Sequence, residues 1–311
     1  MTDPDLDRPF LLRRADALGD GFSDAELARM VRRRDLRRLQ RGTYVRAPAV
    51  LPLDAGARHA LIVRATVMGL RSSTFVGHAS AAALHGLPLW GVRLDRVHVL
   101  RRPPARGSGS ARLRLHVARI ADDELTPMEG LLVTSVTRTV VDVARTEAFE
   151  SAVVVADRAL RSGSTSHERL AECLGRMGSV PGSRAAARVI AFADALSESV
   201  GESRSRVLIH RLRLPVPDLQ VRVLRADRSE IGRCDFGWER NRTVGEFDGR
   251  VKYGRLLRPG QEAGDVVFEE RRREDEIRDH RWQVARWTWS DLDRAHLVER
   301  RILRAFARGR R

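Results

Sequence analysis

Residues 23–48 read SDAELARMVRRRDLRRLQRGTYVRAP, and this stretch decides how the first part of the chain folds. Ser23 followed by Glu26 three residues later is a capping-box pattern, so a helix opens here with Leu27, Met30 and Val31 on its apolar side. Leu36–Leu39 and Thr43–Val45 flank Arg41-Gly42 and pair as short strands about that turn. Upstream, FLLRRADALG (10–19) is helical in pattern, so the order predicted is helix, helix, hairpin: a winged helix-turn-helix over residues 1–50. From Arg29 to Arg46 stand eight arginines (29, 32, 33, 34, 37, 38, 41 and 46) against the single acid Asp35. A recognition helix and wing need that density, which makes Arg32, Arg33, Arg34, Arg37, Arg38, Arg41 and Tyr44 the DNA-binding candidates. A solvated basic helix face would carry the same charges.

The whole chain repeats this bias. Its 311 residues carry a formal net charge of +16 with 42% hydrophobic content, enough apolar sequence for more than one packed domain. Such an excess favours a polyanionic partner, because Arg and Lys displace counterions from phosphates, and nucleic acid leads. An arginine-rich composition that serves only solubility is the competing explanation. Two cysteines, Cys173 and Cys234, exclude a disulfide framework or a CxxC zinc site. The start MTDPDLDRPFLLRRADALG has no apolar segment behind a basic one, and no run of about eighteen apolar residues follows; the expectation is a cytoplasmic protein with no membrane partner. Of the 57 basic residues only Lys252 is a lysine. A compact ammonium can act as a point charge or lose its proton when buried, which a guanidinium does not, so Lys252 is a candidate for lysine-specific chemistry.

Between residues 51 and 197 the pattern is mixed α/β. ARHALIVRATVMGL and HASAAALHGLPL read as helices, DRVHVLRR and ARLRLHVAR as strands around a loop at Pro103–Ser110, and LLVTSVTRTVVDVAR as a strand passing into a helix capped by Thr134 or Ser135. FESAVVVADRAL continues helical, and SHERLAECLGRM and SRAAARVIAFADAL form a helical connector. His78 and His85 lie seven apart on one helix; with no acidic or thiol companion nearby they read as core packing and not as metal ligands.

The phrases RGTYVR (41–46), GHASAAALHGLPL (77–89), VTSVTRTVVDVAR (133–145) and VVVADRAL (153–160) resemble AbiEi-type antitoxin proteins of type IV toxin-antitoxin systems, particularly their actinobacterial relatives. The resemblance covers about the first half of the chain and implies a winged-helix DNA-binding module and a regulatory role; it does not by itself imply a toxin partner, because such modules also occur fused to other domains, so a cognate toxin stays open as a second partner beside DNA.

From residue 198 to 311 the order is a helix, SVGESRSRVLIHRLRL, then the strands LQVRVLRA, SEIGRCDFGW and RTVGEFDG, a charged helix, and RWQVARWTW, an α/β sandwich order. Glu202 lies at the start of the helix, Asp235 in the second strand, Glu246 and Asp248 at the end of the third, and Lys252 four residues beyond. Alternation puts Val244, Glu246 and Asp248 on one face, with the two carboxylates about 6 to 7 Å apart. Several acids on apolar strands call for raised pKa values or a cation, and Mg²⁺ (or Mn²⁺) answers that by taking carboxylate oxygens, waters and substrate phosphate. Asp248-Gly249 equally reads as a turn dipeptide and Glu246 as an edge residue.

Glu202, RCDF (233–236), EFDGRVKY (246–253) and RRREDEIRDHRWQVARWTWSDL (271–292) together resemble the restriction-endonuclease-like fold, in the branch similar to very-short-patch-repair endonucleases. By position, the resemblance implies that Asp235 and Glu246 ligate Mg²⁺, that Glu202 supports them, and that Lys252 stabilises charge or positions the attacking water. The superfamily's usual pattern is Glu, any residue, Lys; here Asp248 stands where that lysine would be, and Lys252 where the branch often has histidine. The sequence thus carries two expectations: a DNA-binding protein with a Mg²⁺-dependent endonuclease domain, or a non-enzymatic regulator or antitoxin whose nuclease fold is inactive. Arg273 reads as a phosphate contact or a solvated charge, and Trp287 and Trp289 as core residues sharing one strand face.

Overall fold

In the computed structural model, which describes residues 11–50, 53–68, 70, 74–249 and 263–310, the chain opens with a strand, β1 (Leu11–Arg13). The helical reading of FLLRRADALG is corrected here. Leu11 lies opposite Val45 and Arg13 opposite Thr43 of β3 (Thr43–Arg46), and the helix α1 (Arg14–Gly19) begins only after them. Ladder hydrogen bonds to a distant strand outweigh a local helical pattern at a helix end, where the first amides have no partner.

α2 (Asp24–Arg32) starts as its capping box requires: the Glu26 amide donates to Ser23 Oγ at 3.2 Å and the Ser23 amide donates to Glu26 Oε2 at 2.7 Å. β2 (Leu36–Gln40) turns into β3 through Gly42, whose φ of +75° only glycine adopts without steric cost. The sheet order is β1-β3-β2, and Ala17, Leu27 and Leu36 form a small core beneath it. Val45 and Val50 of this layer and of α3 (Ala47–Val50) pack with Leu61 of α4 (Ala55–Val67), and Thr66 Oγ1, which donates to the Ile62 carbonyl at 2.7 Å, lies 3.0 Å from the Gln40 side-chain amide. These contacts fasten the β1-β3-β2 sheet to α4.

A six-stranded mixed sheet comes next, in the order β6-β7-β5-β4-β9-β8, from β4 (Phe75–Val76), β5 (Val97–Arg101), β6 (Ser108–Gly109), β7 (Leu113–Val117), β8 (Leu125–Met128) and β9 (Leu131–Thr134). Val97, Val99 and Leu115 pack with α4 and with α5 (His78–Leu84). α6 (Val136–Thr146) takes Ser135 as its cap, whose Oγ accepts the Arg138 amide at 3.3 Å; Thr134, the alternative, instead shares a hydroxyl bond with Thr139 at 2.7 Å. Helices α7 (Phe149–Arg161), α8 (His167–Met177) and α9 (Ser183–Phe192) complete this part.

The chain divides into two compact units, Met1–Ala193 and Asp194–Arg311, so the boundary lies four residues before the division expected between 197 and 198. In the second unit, α10 (Val200–Arg211) precedes a four-stranded sheet of order β10-β11-β12-β13: β10 (Asp218–Leu224), β11 (Glu230–Trp238), β12 (Thr243–Asp248) and β13 (Gln283–Thr288). β12 and β13 run parallel and the other neighbours antiparallel, with α11 (Ala263–Asp279) lying between β12 and β13 in sequence. Val244, Val223 and Cys234 pack with Ile277 of α11 on one face. Phe236, Ala285 and Trp287 pack with Leu208, Ile209, Val298 and Ile302 of α10 and α13 (Ala295–Gly309) on the other. Trp289 joins that core from the short helix α12 (Trp289–Leu292) and not from the strand, which ends at Thr288. The architecture is therefore a mixed α/β fold in more than one layer, and no helix among the described residues is long and apolar enough to cross a membrane.

Candidate functional site

Arg32, Arg33, Arg34, Arg37, Arg38 and Arg41 are all exposed or part-exposed, and Tyr44 is half-buried against the core below. None of these six arginines is within ion-pairing distance of a carboxylate among the described residues; Arg38 donates only to the Gln40 carbonyl, at 3.3 Å. Neighbouring arginines are engaged: Arg14 is paired with Asp24 and Arg29 with Glu26. The acids of α2 gather in its first turn and its arginines in its last, as the helix dipole favours, so positive charge builds toward the hairpin. Such a surface can hold a row of phosphates.

The expected carboxylates of the second unit are held separately. Glu202 sits in the first turn of α10, where Oε1 accepts from Ser199 Oγ at 2.7 Å and Oε2 accepts from the Glu198 amide and Gln220 Nε2, each at 2.9 Å. α10 comes this close to the sheet because residue 201 is glycine: a Cβ there would stand 1.9 Å from the Phe247 ring. Asp235 Oδ2 accepts the Phe247 amide at 2.8 Å, which ties β11 to the end of β12 through a side chain. Strand alternation breaks at this point. Cys234 belongs to the α11 face and Phe236 to the opposite face, although residues two apart on a regular strand share a side. On β10 the same change occurs across Gln220, which has a φ of +52° and lies opposite Asp235 between the pairs Leu219–Phe236 and Val221–Cys234.

Glu246, only 12% exposed, meets Arg273 of α11 at 2.7 Å and Arg286 of β13 at 2.7 Å, and accepts from Cys234 Sγ at 3.4 Å. Its charge is thus neutralised by two guanidinium groups. Arg286 also pairs with Glu274 at 3.2 Å, and Glu274 with Arg278. Arg273, read from the sequence as a phosphate contact or a solvated charge, is a partner of Glu246. Asp248 ends β12 half-buried, in register with Thr288. Lys252 lies outside the described residues. Among the described residues, Glu202, Asp235, Glu246 and Asp248 do not bring ligand oxygens together as one group. The Cys234 thiol is pushed up by burial and by Glu246, which leaves it inert at neutral pH.

One group of converging ligand atoms does exist, in the first unit: His78, His98 and His116, whose nitrogens lie within 4.8 Å of one another. His78 is the first residue of α5, directly after β4; His98 is on β5 and His116 on the adjacent β7. His85, its expected companion on α5, is elsewhere engaged, with Nε2 donating to the Thr134 carbonyl at 2.7 Å. The sequence signal for the triad is the matching pair of phrases VHV and LHV, each placing an imidazole between apolar residues of a strand. Register between those strands is not written in either phrase. Nearby, Arg138 is buried in a cluster with Asp142 at 2.9 Å and Glu124 at 3.0 Å, which accounts for the charged residues inside the apolar phrase VTRTVVDVAR.

No known family model matches the chain. It is similar to Uncharacterized protein MT2308 of Mycobacterium tuberculosis (strain CDC 1551 / Oshkosh) and to Uncharacterized protein Rv2248 of Mycobacterium tuberculosis (strain ATCC 25618 / H37Rv), in each case 31% identical over 179 residues, 55% of this chain and 63% of the relative. The match thus spans less than two thirds of those relatives' length. Among solved structures, the RV2827C protein from Mycobacterium tuberculosis aligns with 60% of this chain and 73% of its own, at a TM-score of 0.38 and 17% identity.

Proposed function

We propose that this chain is a DNA-binding protein of the regulatory kind, docking on duplex DNA through α2 and the β2–β3 hairpin as a winged helix. The observation that carries the reading is the set of six solvent-accessible arginines at 32, 33, 34, 37, 38 and 41 without a carboxylate partner among the described residues. Unpaired guanidinium groups on one helix end and one hairpin contact phosphates at little desolvation cost, and they release counterions on binding. A cognate toxin stays open as a second partner, which the likeness to AbiEi-type antitoxins does not by itself imply.

The test is fluorescence anisotropy of labelled duplex DNA at several salt concentrations. Six phosphate contacts predict a slope of log affinity on log salt of about −5, with Arg37→Ala and Arg38→Ala each weakening binding and each reducing the slope by about 0.9. Binding that ignores salt would sink the proposal.

A second reading, hydrolysis of phosphodiesters with Mg²⁺ or Mn²⁺ at Asp235 and Glu246, supported by Glu202, Asp248 and Lys252, is favoured by one observation. Asp235 and Glu246 lie on neighbouring strands, with Asp235 clasping the amide that comes after Glu246. Against it, a metal at Glu246 must displace Arg273 or Arg286. Metal-dependent cutting of plasmid or mismatched DNA that is lost in Glu246→Ala and in Lys252→Ala would establish the nuclease; DNA binding without cutting leaves the regulator.

A further inference from the structure

We infer that His78, His98 and His116 form a binding site for one borderline divalent cation of the zinc class. Three imidazoles from three separate elements converge, their ligand nitrogens within 4.8 Å of one another. In a tetrahedral zinc site with Zn–N near 2.0–2.1 Å, ligand nitrogens stand about 3.3 Å apart and ring centroids about 5 Å apart. His98 Nδ1 and His116 Nε2 already lie at 3.1 Å, joined by a hydrogen bond whose proton an ion has to displace. The centroids of His78 and His98 are 5.6 Å apart and those of His98 and His116 are 5.1 Å apart; only the stacked pair His78 and His116, at 4.0 Å, has to open. Closing on an ion therefore needs side-chain adjustments of about an ångström and no change of fold.

The surroundings prepare these rings as ligands. Thr146 Oγ1 donates its one proton to the Asp142 carbonyl at 2.8 Å, so toward His78 Nδ1, at a long 3.5 Å, it acts as acceptor. A proton on His78 Nδ1 suits that acceptor and frees Nε2 for an ion, the arrangement by which outer partners orient metal-bound histidines. His78 is held in the left-handed region, at a φ of +52°, a conformation that is disfavoured for a non-glycine residue and that persists where packing enforces it. Arg138 and Arg145 stand close, but both are paired with the buried Asp142, and Arg138 with Glu124 as well, which limits their repulsion of a cation.

Three neutral nitrogens and no carboxylate select zinc, cobalt or nickel over magnesium or calcium, which require oxygen ligands. His78 is buried and His98 and His116 are partly exposed, and in a three-histidine site water takes the fourth coordination position. The site is independent of the DNA-binding surface and of the carboxylates of the second unit.

The test is a Co²⁺ titration of the untagged full chain after dialysis against a chelator, following the visible d–d bands of tetrahedral cobalt, with Zn²⁺ as competitor and Mg²⁺ as control. The expected result is one ion per chain, displaced by zinc and untouched by magnesium. His98→Gln and His116→Gln, each at a half-exposed position, weaken binding more than about a hundredfold, since even outer-sphere changes cost ten- to a hundredfold. His167→Gln, at an exposed position on α8, leaves it unchanged. Absence of the bands in the wild type, or binding in both triad variants within about twofold of wild type, overturns the inference. Should the variants not fold, the wild-type titration and the melting temperature with and without zinc decide it, because an ion bound to the native state alone raises that temperature.

Discussion

Arg286 stands in register with Glu246 on the adjoining parallel strand, and the two side chains meet at 2.7 Å, with Arg273 holding the same carboxylate at the same distance. A carboxylate so compensated attracts a divalent ion weakly. Arg286→Gln is expected to tighten Mn²⁺ binding to the second unit, measured by calorimetry, whereas Glu246→Gln takes a carboxylate from two partly buried guanidiniums, of which Arg286 keeps Glu274, and costs about 1–3 kcal/mol of stability. Unchanged Mn²⁺ affinity in Arg286→Gln would show that the ion pair is not what keeps metal away.

Arg138 is 1% exposed and lies between Asp142, 1% exposed, and Glu124, 7% exposed. Removing the cation leaves the buried Asp142 to Arg145 alone and the buried Glu124 to Arg176 at 3.9 Å. Arg138→Met is expected to destabilise the first unit by about 3–5 kcal/mol in urea unfolding, and the triple change with Asp142→Leu and Glu124→Leu to recover most of that loss. A loss below about 1 kcal/mol for the single variant would contradict this account.

Acid should unfold the first unit through its histidines. His78, His98 and His116 are held at about 3, 4 and 3, chiefly by burial. Repulsion by His59 at His98, mutual repulsion within the triad and the charges of Arg96, Arg114, Arg138 and Arg145 add to this; Asp95, near His98, and Asp142, near His116, oppose it. The unfolded chain binds protons near the ordinary histidine value of about 6.5, before the native state does. Stability from these groups is therefore complete above about pH 6.5 and declines as pH falls toward 4. A melting temperature followed from pH 7.5 to 4.5 should drop, and His98→Asn should flatten the slope.

Arg34 ends α2 in the left-handed conformation, at a φ of +64°, while its amide reaches the Val31 carbonyl and the Asp35 amide reaches that of Met30. Glycine is the usual residue in this helix ending. Arg34→Gly should raise stability by about 1 kcal/mol while weakening DNA binding and lowering the salt slope by about 0.9. If stability rises and DNA affinity holds, Arg34 belongs to the fold alone.

What can be read from the sequence is whatever a few consecutive residues determine. The capping box at Ser23 and Glu26, the hairpin about Gly42 and the strand-to-helix passage at Ser135 arise from local hydrogen bonding and are found where expected. Leu11–Arg13 escapes such a reading because its partner, β3, lies some thirty residues on and nothing in FLLRR announces it. The carboxylates are visible as residues, but their compensation is not: Arg286 faces Glu246 only through the parallel register of β12 with β13. The histidine triad is hidden for the same reason, since His98 and His116 meet only when β5 and β7 pair side by side.

The shared irregularity of β10 and β11 constrains how these strands can drift in sequence. Gln220 and Asp235 stand opposite each other, and at that one point both strands exchange which residues look toward α11 and which toward α10. Deleting one residue from either strand alone would turn Val223 or Cys234 from the α11 face to the opposite one and put its polar neighbour in its place. Length changes in homologues are therefore tolerated here only as matched pairs, one in each strand, whereas the turn at Asp227 and Ser229 is free to vary by itself.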